Sequence, residues 1–342
     1  MTRPRFVFAP IALLALLAPG CERLAPPPSQ RSEPAPAASS KAGAPAPEAD
    51  AAPTRHAPSA ARLPAPARLV AIGDLHGDIA ATRAAFRLAG AIDQDDRWIG
   101  GDLVVVQTGD QLDRGDDEQA ILELLERLQG EAKAAGGALH VLNGNHEFMN
   151  ALGDLRYVTP GGFADFADAP GTDIDDPALE RALADVPAEA RPRLAAFLPG
   201  RTWAKKLADQ PVILIVGDSV FAHGGILPSW AKVGPETINA EAEAFLLGER
   251  EQPPEAIVDP EGPVWTRAYS ANPDAAACAM LDETLEILGV ERMVVGHTVH
   301  TEGVTSACEG KVWMVDVGLA KYYGGPVEVL EIRGDAVRVI GG

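Results

Sequence analysis

The chain has 342 residues, of which 46% are hydrophobic and 23% are charged. These proportions are typical of a globular protein and exclude a disordered chain or one embedded wholly in a membrane. Lys and Arg number 29 against 49 Asp and Glu, so the formal net charge is −20. A nucleic-acid-binding surface needs excess positive charge to neutralise phosphates, so nucleic acid is excluded as a partner. Three cysteines are too few for a disulfide-built scaffold or a four-thiolate zinc site.

The N-terminus has the pattern of an export signal. Arg3 and Arg5 precede an apolar run over 6–18, which is too short for a typical membrane-spanning helix. The run closes on Leu-Ala-Pro-Gly before Cys21, which resembles a bacterial lipoprotein box. We therefore predict a lipoprotein signal peptide over 1–20 and lipidation of Cys21. Simple cleavage and release, or an uncleaved anchor, are the alternatives.

The segment 22–66 is rich in Pro and Ala. It holds eleven Pro and fourteen Ala but no Ile, Val, Phe, Trp, Tyr or Met, so it cannot form a core. We predict a disordered tether that joins the lipid to a domain over 67–342. The expected location is the bacterial cell envelope or periplasm, with membrane contact only through the lipid anchor.

The first half of the domain alternates short apolar runs with helical patterns. Strands are predicted over 69–72, 103–107 and 139–142, and amphipathic helices over 79–90 and 118–135. Three successive strand–motif–helix units predict an α/β fold. In such folds functional residues gather at the carboxyl ends of the strands.

The second half is predicted to add a cap and another sheet. Residues 150–205 lack strand patterning, and we interpret them as helices and loops laid over the site, a cap region spanning 150–210. A helix is predicted over 276–288. Strand patterns occur over 212–216, 219–222, 292–295, 312–315, 327–332 and 336–340. This β-rich part predicts a second sheet packed on the first.

Polar motifs stand where the predicted strands end. They are Gly73-Asp-Leu-His-Gly77, Gly109-Asp-Gln-Leu-Asp-Arg-Gly115, Gly144-Asn-His-Glu147, His223-Gly-Gly225 and Gly296-His-Thr298. Asp, Asn and His side chains offer the oxygen and nitrogen donors that suit divalent transition metals. The glycines allow backbone and metal to approach closely. The motifs therefore indicate a metal site at the carboxyl edge of the sheets.

This ordered set resembles the calcineurin-like metallophosphoesterases. Asp113-Arg-Gly115 points to their phosphoprotein-phosphatase branch. Three segments are similar to the Shewanella-like bacterial protein phosphatases, namely Asn145-His-Glu-Phe-Met-Asn150, Gly153-Asp-Leu-Arg-Tyr-Val158 and Gly262-Pro-Val-Trp-Thr-Arg267. The resemblance covers 68–325 and implies a β-sandwich flanked by helices in αββα order, with a helical and loop cap insertion.

The resemblance also implies two transition-metal ions, with Mn, Fe and Zn all compatible with the donors. The implied ligands are Asp74 and His76 for the first metal, Asp110 for both, and Asn145, His223 and His297 for the second. The implied catalytic and substrate-binding residues are His146 as general acid, Asp113 as its partner, and Arg114, Arg267 and Asn145 on the phosphate. Arginine suits that task because its planar fork donates two hydrogen bonds at once.

The implied reaction is hydrolysis of a phosphate monoester, on a phosphoprotein or a small molecule, by in-line attack of a metal-bridging hydroxide. One alternative is a symmetrical-type dinucleoside polyphosphate hydrolase. An acidic domain would repel a polyanionic substrate unless its pocket is locally basic, and export would separate it from cytosolic nucleotides. The other alternative is a non-catalytic envelope lipoprotein, and the complete ligand set argues against it.

Some residues near the motifs stay outside these assignments. Cys278 and Cys308 form either a disulfide or two separate buried thiols. Arg156 is expected to pair with a nearby acid rather than contact phosphate. His140 is expected within the sheet, and His300 is a candidate for the rim of the site.

Overall fold

A computed structural model describes residues 61–172, 174 and 177–341 of the chain. The predicted signal peptide, Cys21 and nearly all of the predicted tether lie outside this described part. Within it, no helix combines the length and the apolar character needed to cross a membrane.

Eleven strands are found within the described residues. In chain order they are β1 Arg62–Leu63, β2 Leu69–Ile72, β3 Val104–Gln107, β4 Ala138–Val141, β5 Ile213–Val216, β6 Ser219–Ala222, β7 Arg292–Val295, β8 Thr305–Ala307, β9 Val312–Met314, β10 Glu328–Arg333 and β11 Ala336–Gly341. The α-helices are α1 Ile79–Leu88, α2 Glu118–Ala135, α3 Asn145–Ala151, α4 Pro160–Asp165, α5 Pro177–Ala182, α6 Arg191–Phe197, α7 Thr202–Ala208, α8 Pro228–Val233, α9 Pro235–Leu246, α10 Glu255–Val258 and α11 Ala275–Leu288. Single turns of 3₁₀ helix occur at Ala188–Ala190 and Cys308–Gly310.

The first sheet has the strand order β11-β10-β2-β3-β4. Strands β2, β3 and β4 run parallel because α1 and α2 return the chain between them, whereas β10 joins β2 antiparallel. Helix α1 begins where the Asp78 side chain accepts a hydrogen bond from Ala81 N at 2.9 Å. Helix α2 ends at Ala135 and is followed by Gly136, whose left-handed conformation closes the last turn.

The second sheet has the order β1-β5-β6-β7-β9-β8. Strand β1 pairs in parallel with β5 through Arg62 and Leu63, which lie in the predicted tether. Ala61, just before it, is only 2% exposed. The ordered fold therefore includes the last residues of the Pro- and Ala-rich segment. Their sequence gave no strand signal because two residues are too few to show a period.

The two sheets pack face to face, with helices on both outer surfaces. Leu69, Ala71 and Val106 of the first sheet meet Leu214 and Phe221 of the second in one apolar cluster. The outer face of the first sheet packs on α1 and α2. The outer face of the second packs on α7, α9 and α11. This αββα arrangement confirms the predicted fold class.

The segment between β4 and β5 is helical, as predicted. It contains α4 to α7, and its aromatic side chains Phe166, Phe197 and Trp203 pack on one another. They join the same apolar cluster as Phe148 of α3. The cap is therefore packed into the domain beside α2 and α3 rather than attached as a separate unit.

Candidate metal centre and active site

The loops that follow β2, β3, β4, β6 and β7 meet at one edge of the sandwich. The backbone N–H groups of Leu75 and His76 both donate to the carbonyl of Asp110, at 2.9 and 3.0 Å. Two glycines are required by this close approach. A Cβ on Gly73 would overlap the carbonyl of Val315, and one on Gly144 would overlap the carboxylate of Asp110.

Several residues of the site hold a strained backbone. His76, Asp110, Asp113, Arg114 and His297 all have left-handed φ angles, from 44° to 70°. This conformation is uncommon for residues other than glycine and costs free energy at each position. It occurs here at residues that the motifs assigned to metal or substrate, so the strain sets the direction of functional side chains.

The first group of donors surrounds one oxygen of Asp110. His76 Nε2 lies 3.7 Å from Asp110 Oδ2 and 3.9 Å from Asp74 Oδ2. His146 Nε2 lies 3.7 Å from the same Asp110 oxygen. The His76 separations are suited to donors that share a cation rather than a hydrogen bond, and His146 borders the same oxygen.

The second group uses the same Asp110 oxygen from the other side. His223 Nε2 lies 3.2 Å from Asp110 Oδ2 and 3.0 Å from Asn145 Oδ1. His297 Nδ1 lies 3.1 Å from His223 Nε2. The six predicted ligands thus converge, and Asp110 lies between the two groups as a bridging ligand would.

Backbone carbonyls fix how each histidine faces the centre. His76 Nδ1 bonds Leu112 O at 3.1 Å, and His223 Nδ1 bonds Thr108 O at 2.9 Å. In both rings Nε2 is left facing the site. His297 is turned the other way, because Nε2 contacts Trp265 O at 3.0 Å and leaves Nδ1 inward. Such carbonyl contacts orient metal-ligating imidazoles.

The donor set fits a pair of cations. Asp74, Asp110 and Asp316 are each at most 2% exposed. Burial raises the pKa of Asp74 well above its usual value, and the charges of Asp316 and Asp110 raise it further. Buried carboxylates so close together require compensating positive charge, which a metal supplies. Asp110 is shared by two groups of oxygen and nitrogen donors, one with His76 and His146 and the other with His223 and His297.

His146 and Asp113 form a buried pair beside this centre. His146 Nδ1 lies 2.6 Å from Asp113 Oδ2, as the resemblance implied. Burial alone would lower the pKa of His146, but Asp110 and Asp113 raise it to about 9. The contact with Asp113 thus favours the protonated form of the His146 ring.

Glu147 holds the second and third motifs together. One of its carboxylate oxygens accepts from Asp110 N at 2.9 Å and Gly144 N at 2.7 Å. The other accepts from Gln111 N at 2.9 Å and Leu112 N at 3.2 Å. The sequence placed Glu147 in a motif without giving it a role, and this contact set shows that it positions Asp110.

Arg114 lies among aromatic side chains, here called the aromatic rim, formed by Tyr157, Tyr322 and Tyr323. Its guanidinium carbon lies 3.9 Å from the ring centre of Tyr157 and 5.0 Å from that of Tyr322. Tyr157 stacks near His146 and Tyr323 near His76, with ring centres 5.2 and 5.3 Å apart. The rim therefore connects Arg114 to the first donor group, through His76 and His146. No tyrosine was given a role from the sequence, although Tyr157 lies in the family-like segment Gly153–Val158.

Arg267 reaches the opposite donor group. Its Nη1 lies 2.5 Å from His297 Nε2, and its Nη2 donates to His297 O at 3.3 Å. Arg267 is exposed on the outer side, so its guanidinium faces both the centre and solvent. The predicted phosphate contacts Arg114 and Arg267 thus both border the centre, with Asn145 inside it.

The other residues singled out from the sequence lie outside the two donor groups. Arg156 pairs with Asp154, with Nη2 and Oδ2 2.7 Å apart, which confirms the expected ion pair. His140 belongs to β4, opposite Val106 of β3. His300 is half-buried, and its Nε2 bonds Ser270 O at 3.1 Å.

Cys278 and Cys308 are joined in a disulfide between α11 and the turn before β9, so the two-thiol alternative is wrong.

Comparison with known proteins identifies the class to which this fold and centre belong. The family model described as calcineurin-like phosphoesterase matches residues 67–300. The chain is therefore a member of the calcineurin-like phosphoesterase family, and it is a metal-dependent phosphatase, as the motifs predicted.

Particular relatives narrow this class. The chain is 41% identical over 307 residues to Shewanella-like protein phosphatase 2 of Arabidopsis thaliana, covering 82% of this chain and 78% of the relative. A solved cold-active protein tyrosine phosphatase superposes with a TM-score of 0.66 at 26% identity, covering 82% and 77% of the two chains. The cold-active protein-tyrosine phosphatase of a psychrophilic Shewanella species gives 0.64 at 25% identity, with 82% of each chain covered.

Proposed function

We propose that this chain is a protein phosphatase that prefers phosphotyrosine and uses two ions of Mn, Fe or Zn. The observation that carries the preference is the aromatic rim around Arg114, where Tyr322 is 57% exposed. A substrate ring can pack against an exposed aromatic ring while its phosphate reaches the guanidinium. The names of the two structural relatives, both tyrosine phosphatases, support the same substrate.

The side chains divide the work of hydrolysis. Asp74, His76, Asp110, Asn145, His223 and His297 hold the cations. When bound, these ions supply positive charge for the phosphate oxygens and an activated nucleophile. Arg114 and Arg267 donate N–H groups to the same oxygens and orient the phosphate. Asp113 fixes the tautomer of His146, whose Nε2 gives a proton to the tyrosyl oxygen as the P–O bond breaks.

A substrate panel on Tyr322 variants tests the preference. On a phosphotyrosine peptide, Tyr322→Ala should lower kcat/KM about 3–10-fold, the size of one lost aromatic contact. On the same peptide carrying phosphoserine it should change little. Tyr322→Phe, which keeps the ring and removes only the hydroxyl bonded to Arg114, should stay near the parent. Equal losses on both peptides would contradict the role of the ring. Turnover confined to diadenosine tetraphosphate would instead favour a polyphosphate hydrolase.

We further propose that the enzyme works outside the cytoplasm as a tethered lipoprotein. The signal-like segment, the box before Cys21 and the Pro- and Ala-rich tether support this location. The disulfide between Cys278 and Cys308 supports it too, since such bonds persist mainly in oxidising compartments. Intact-protein mass spectrometry tests the anchor. A mature chain that begins at Cys21 with an added lipid mass is expected, whereas an unmodified N-terminus would contradict it.

A further inference from the structure

The cap contributes a buried arginine, which contacts the oxygen of Asp113 that does not face His146. Arg193 of α6 is 0% exposed, although arginine is rarely buried without a partner. Its Nη2 donates to Asp113 Oδ1 at 3.2 Å, and its Nε donates to Asn150 Oδ1 at 2.7 Å. Glu118 of α2 accepts from both terminal nitrogens of the same guanidinium. The Gly162 carbonyl, also from the cap, accepts from Nη1 at 3.0 Å.

These contacts leave Asp113 with one orientation. Its Oδ2 faces His146 Nδ1, while its Oδ1 accepts from Arg193 Nη2 and from Asn150 Nδ2 at 3.1 Å. Glu118 also accepts from the backbone N–H of Asp113. Both oxygens and the backbone of Asp113 are therefore held, and two of these contacts pass through Arg193 or its partner Glu118.

Resting on the function proposed above, we infer that Arg193 is a positioning residue for the proton donor. It holds the Asp113 carboxylate, and through it the His146 ring, in the direction needed for proton transfer. Arg193 is remote from phosphate in this scheme, because its five N–H groups face Asp113, Glu118, Asn150 and Gly162. The proton moves from His146 Nε2 to the leaving oxygen as the P–O bond breaks, and solvent restores it to His146. Arg193 acts only on the direction of that transfer.

This role can be separated from a purely structural one by comparing leaving groups. Phenyl phosphate needs protonation of its leaving oxygen more than p-nitrophenyl phosphate does, because phenol is the weaker acid. General acid catalysis contributes about 10²–10⁴-fold where it is needed. Loss of a correctly directed acid should therefore affect phenyl phosphate selectively. The ratio of the two kcat/KM values is measured on one sample, so any unfolded fraction cancels from it.

The experiment uses the metal-loaded full chain. In Arg193→Met we expect kcat/KM on phenyl phosphate to fall about 10–100-fold, and on p-nitrophenyl phosphate less than about 5-fold. Arg193→Lys keeps the positive charge but lacks the planar guanidinium, and it should change the ratio of the two kcat/KM values less than Arg193→Met does. Arg191→Met is the matched control, because Arg191 lies in the same helix and its hydrogen bonds within the described residues go to the carbonyls of Val186 and Ala184. Its ratio should equal that of the parent.

His146→Asn and the double variant His146→Asn/Arg193→Met complete the design. His146→Asn should lower the ratio at least as much as Arg193→Met, and the double variant should lower it no further. If His146→Asn changes the ratio but Arg193→Met lowers both rates equally, the positioning role of Arg193 is overturned while the proposed acid stands. If His146→Asn leaves the ratio unchanged, the proposed acid is itself wrong, and the inference about Arg193 falls with it.

Discussion

At the scale of single residues, the centre depends on side chains that hold other side chains. Asp110 faces both donor groups through one oxygen, but its position is set by backbone contacts to Glu147 and by the absence of a Cβ at Gly144. A carboxylate that accepts four N–H groups satisfies donors that burial would otherwise leave unpaired. The catalytic geometry is therefore sensitive to a residue that touches neither metal nor substrate.

We expect Glu147→Gln to destabilise the fold and reduce activity strongly. The amide NH₂ that replaces one oxygen would face N–H donors, and each unpaired buried donor costs about 1–3 kcal/mol. Urea unfolding and elemental analysis of the purified variant measure both effects. Glu126→Gln is the control, since the Glu126 side chain is 62% exposed and pairs with Lys206 on the surface. Normal stability together with normal metal content in Glu147→Gln would contradict the positioning role of Glu147.

At the scale of secondary structure, a buried glutamate near the edge of the first sheet forms ion pairs with three arginines. Glu331 of β10 is 1% exposed and contacts Arg68, Arg333 of its own strand and Arg338 of the neighbouring β11. Burial by itself would raise the pKa of Glu331, but hydrogen bonds from Arg338, Arg68 and Arg333 lower it from 4.5 to about 2. The folded state therefore favours the ionised carboxylate more than the unfolded state does.

The sign of the pH dependence follows from this shift. Glu331 contributes stability that is fully present above pH 4.5 and is lost as the pH falls towards 2. Glu331→Gln should lower the free energy of unfolding by about 1–3 kcal/mol at pH 7, because the arginine partners are partly exposed and solvent screens the contact. The gap between parent and variant should close below about pH 4.5, as measured by urea titrations across pH.

The control for this titration is Glu283→Gln. Glu283 is 51% exposed and pairs with Lys232 on the surface, so its variant should differ from the parent by less than about 1 kcal/mol. A gap for Glu331→Gln that stays constant from pH 7 to about pH 3 would show that the carboxylate is not held by its charge.

At the scale of the whole molecule, loops from both sheets come together around a cluster of buried acidic side chains. Asp74, Asp110 and Asp316 arrive from the ends of β2, β3 and β9, which belong to both sheets. Cations at this point neutralise charges that neither sheet could bury alone. Metal binding is therefore expected to contribute to the stability of the entire domain.

Removal of the metals should lower the melting temperature and abolish turnover. An ion present at 100 times its dissociation constant stabilises by about 2.7 kcal/mol, so chelation should produce an effect of that order. Differential scanning calorimetry before and after chelation, then after addition of Mn²⁺, measures it. In Asp110→Asn the chelator should have little further effect. Unchanged melting and turnover in protein shown to be metal-free would refute the metal centre.

The family, the αββα fold and the six residues that converge at the candidate metal centre could all be predicted from the sequence. Glycines beside Asp, Asn and His at the ends of apolar runs are local signals, and parallel strands must bring their carboxyl ends to one edge. The pairing of His146 with Asp113 was implied by the resemblance of these motifs to the family.

The residues that support those six could be recognised only in the folded chain. Arg193 and Tyr322 come from segments in which no motif was recognised. Asp316 follows a predicted strand at whose end no motif was recognised either. Strand β1 lies in a segment whose composition predicts disorder, yet it pairs with β5 about 150 residues away. Such contacts arise from packing between parts of the chain that are distant in sequence, and no spacing rule along one segment encodes them.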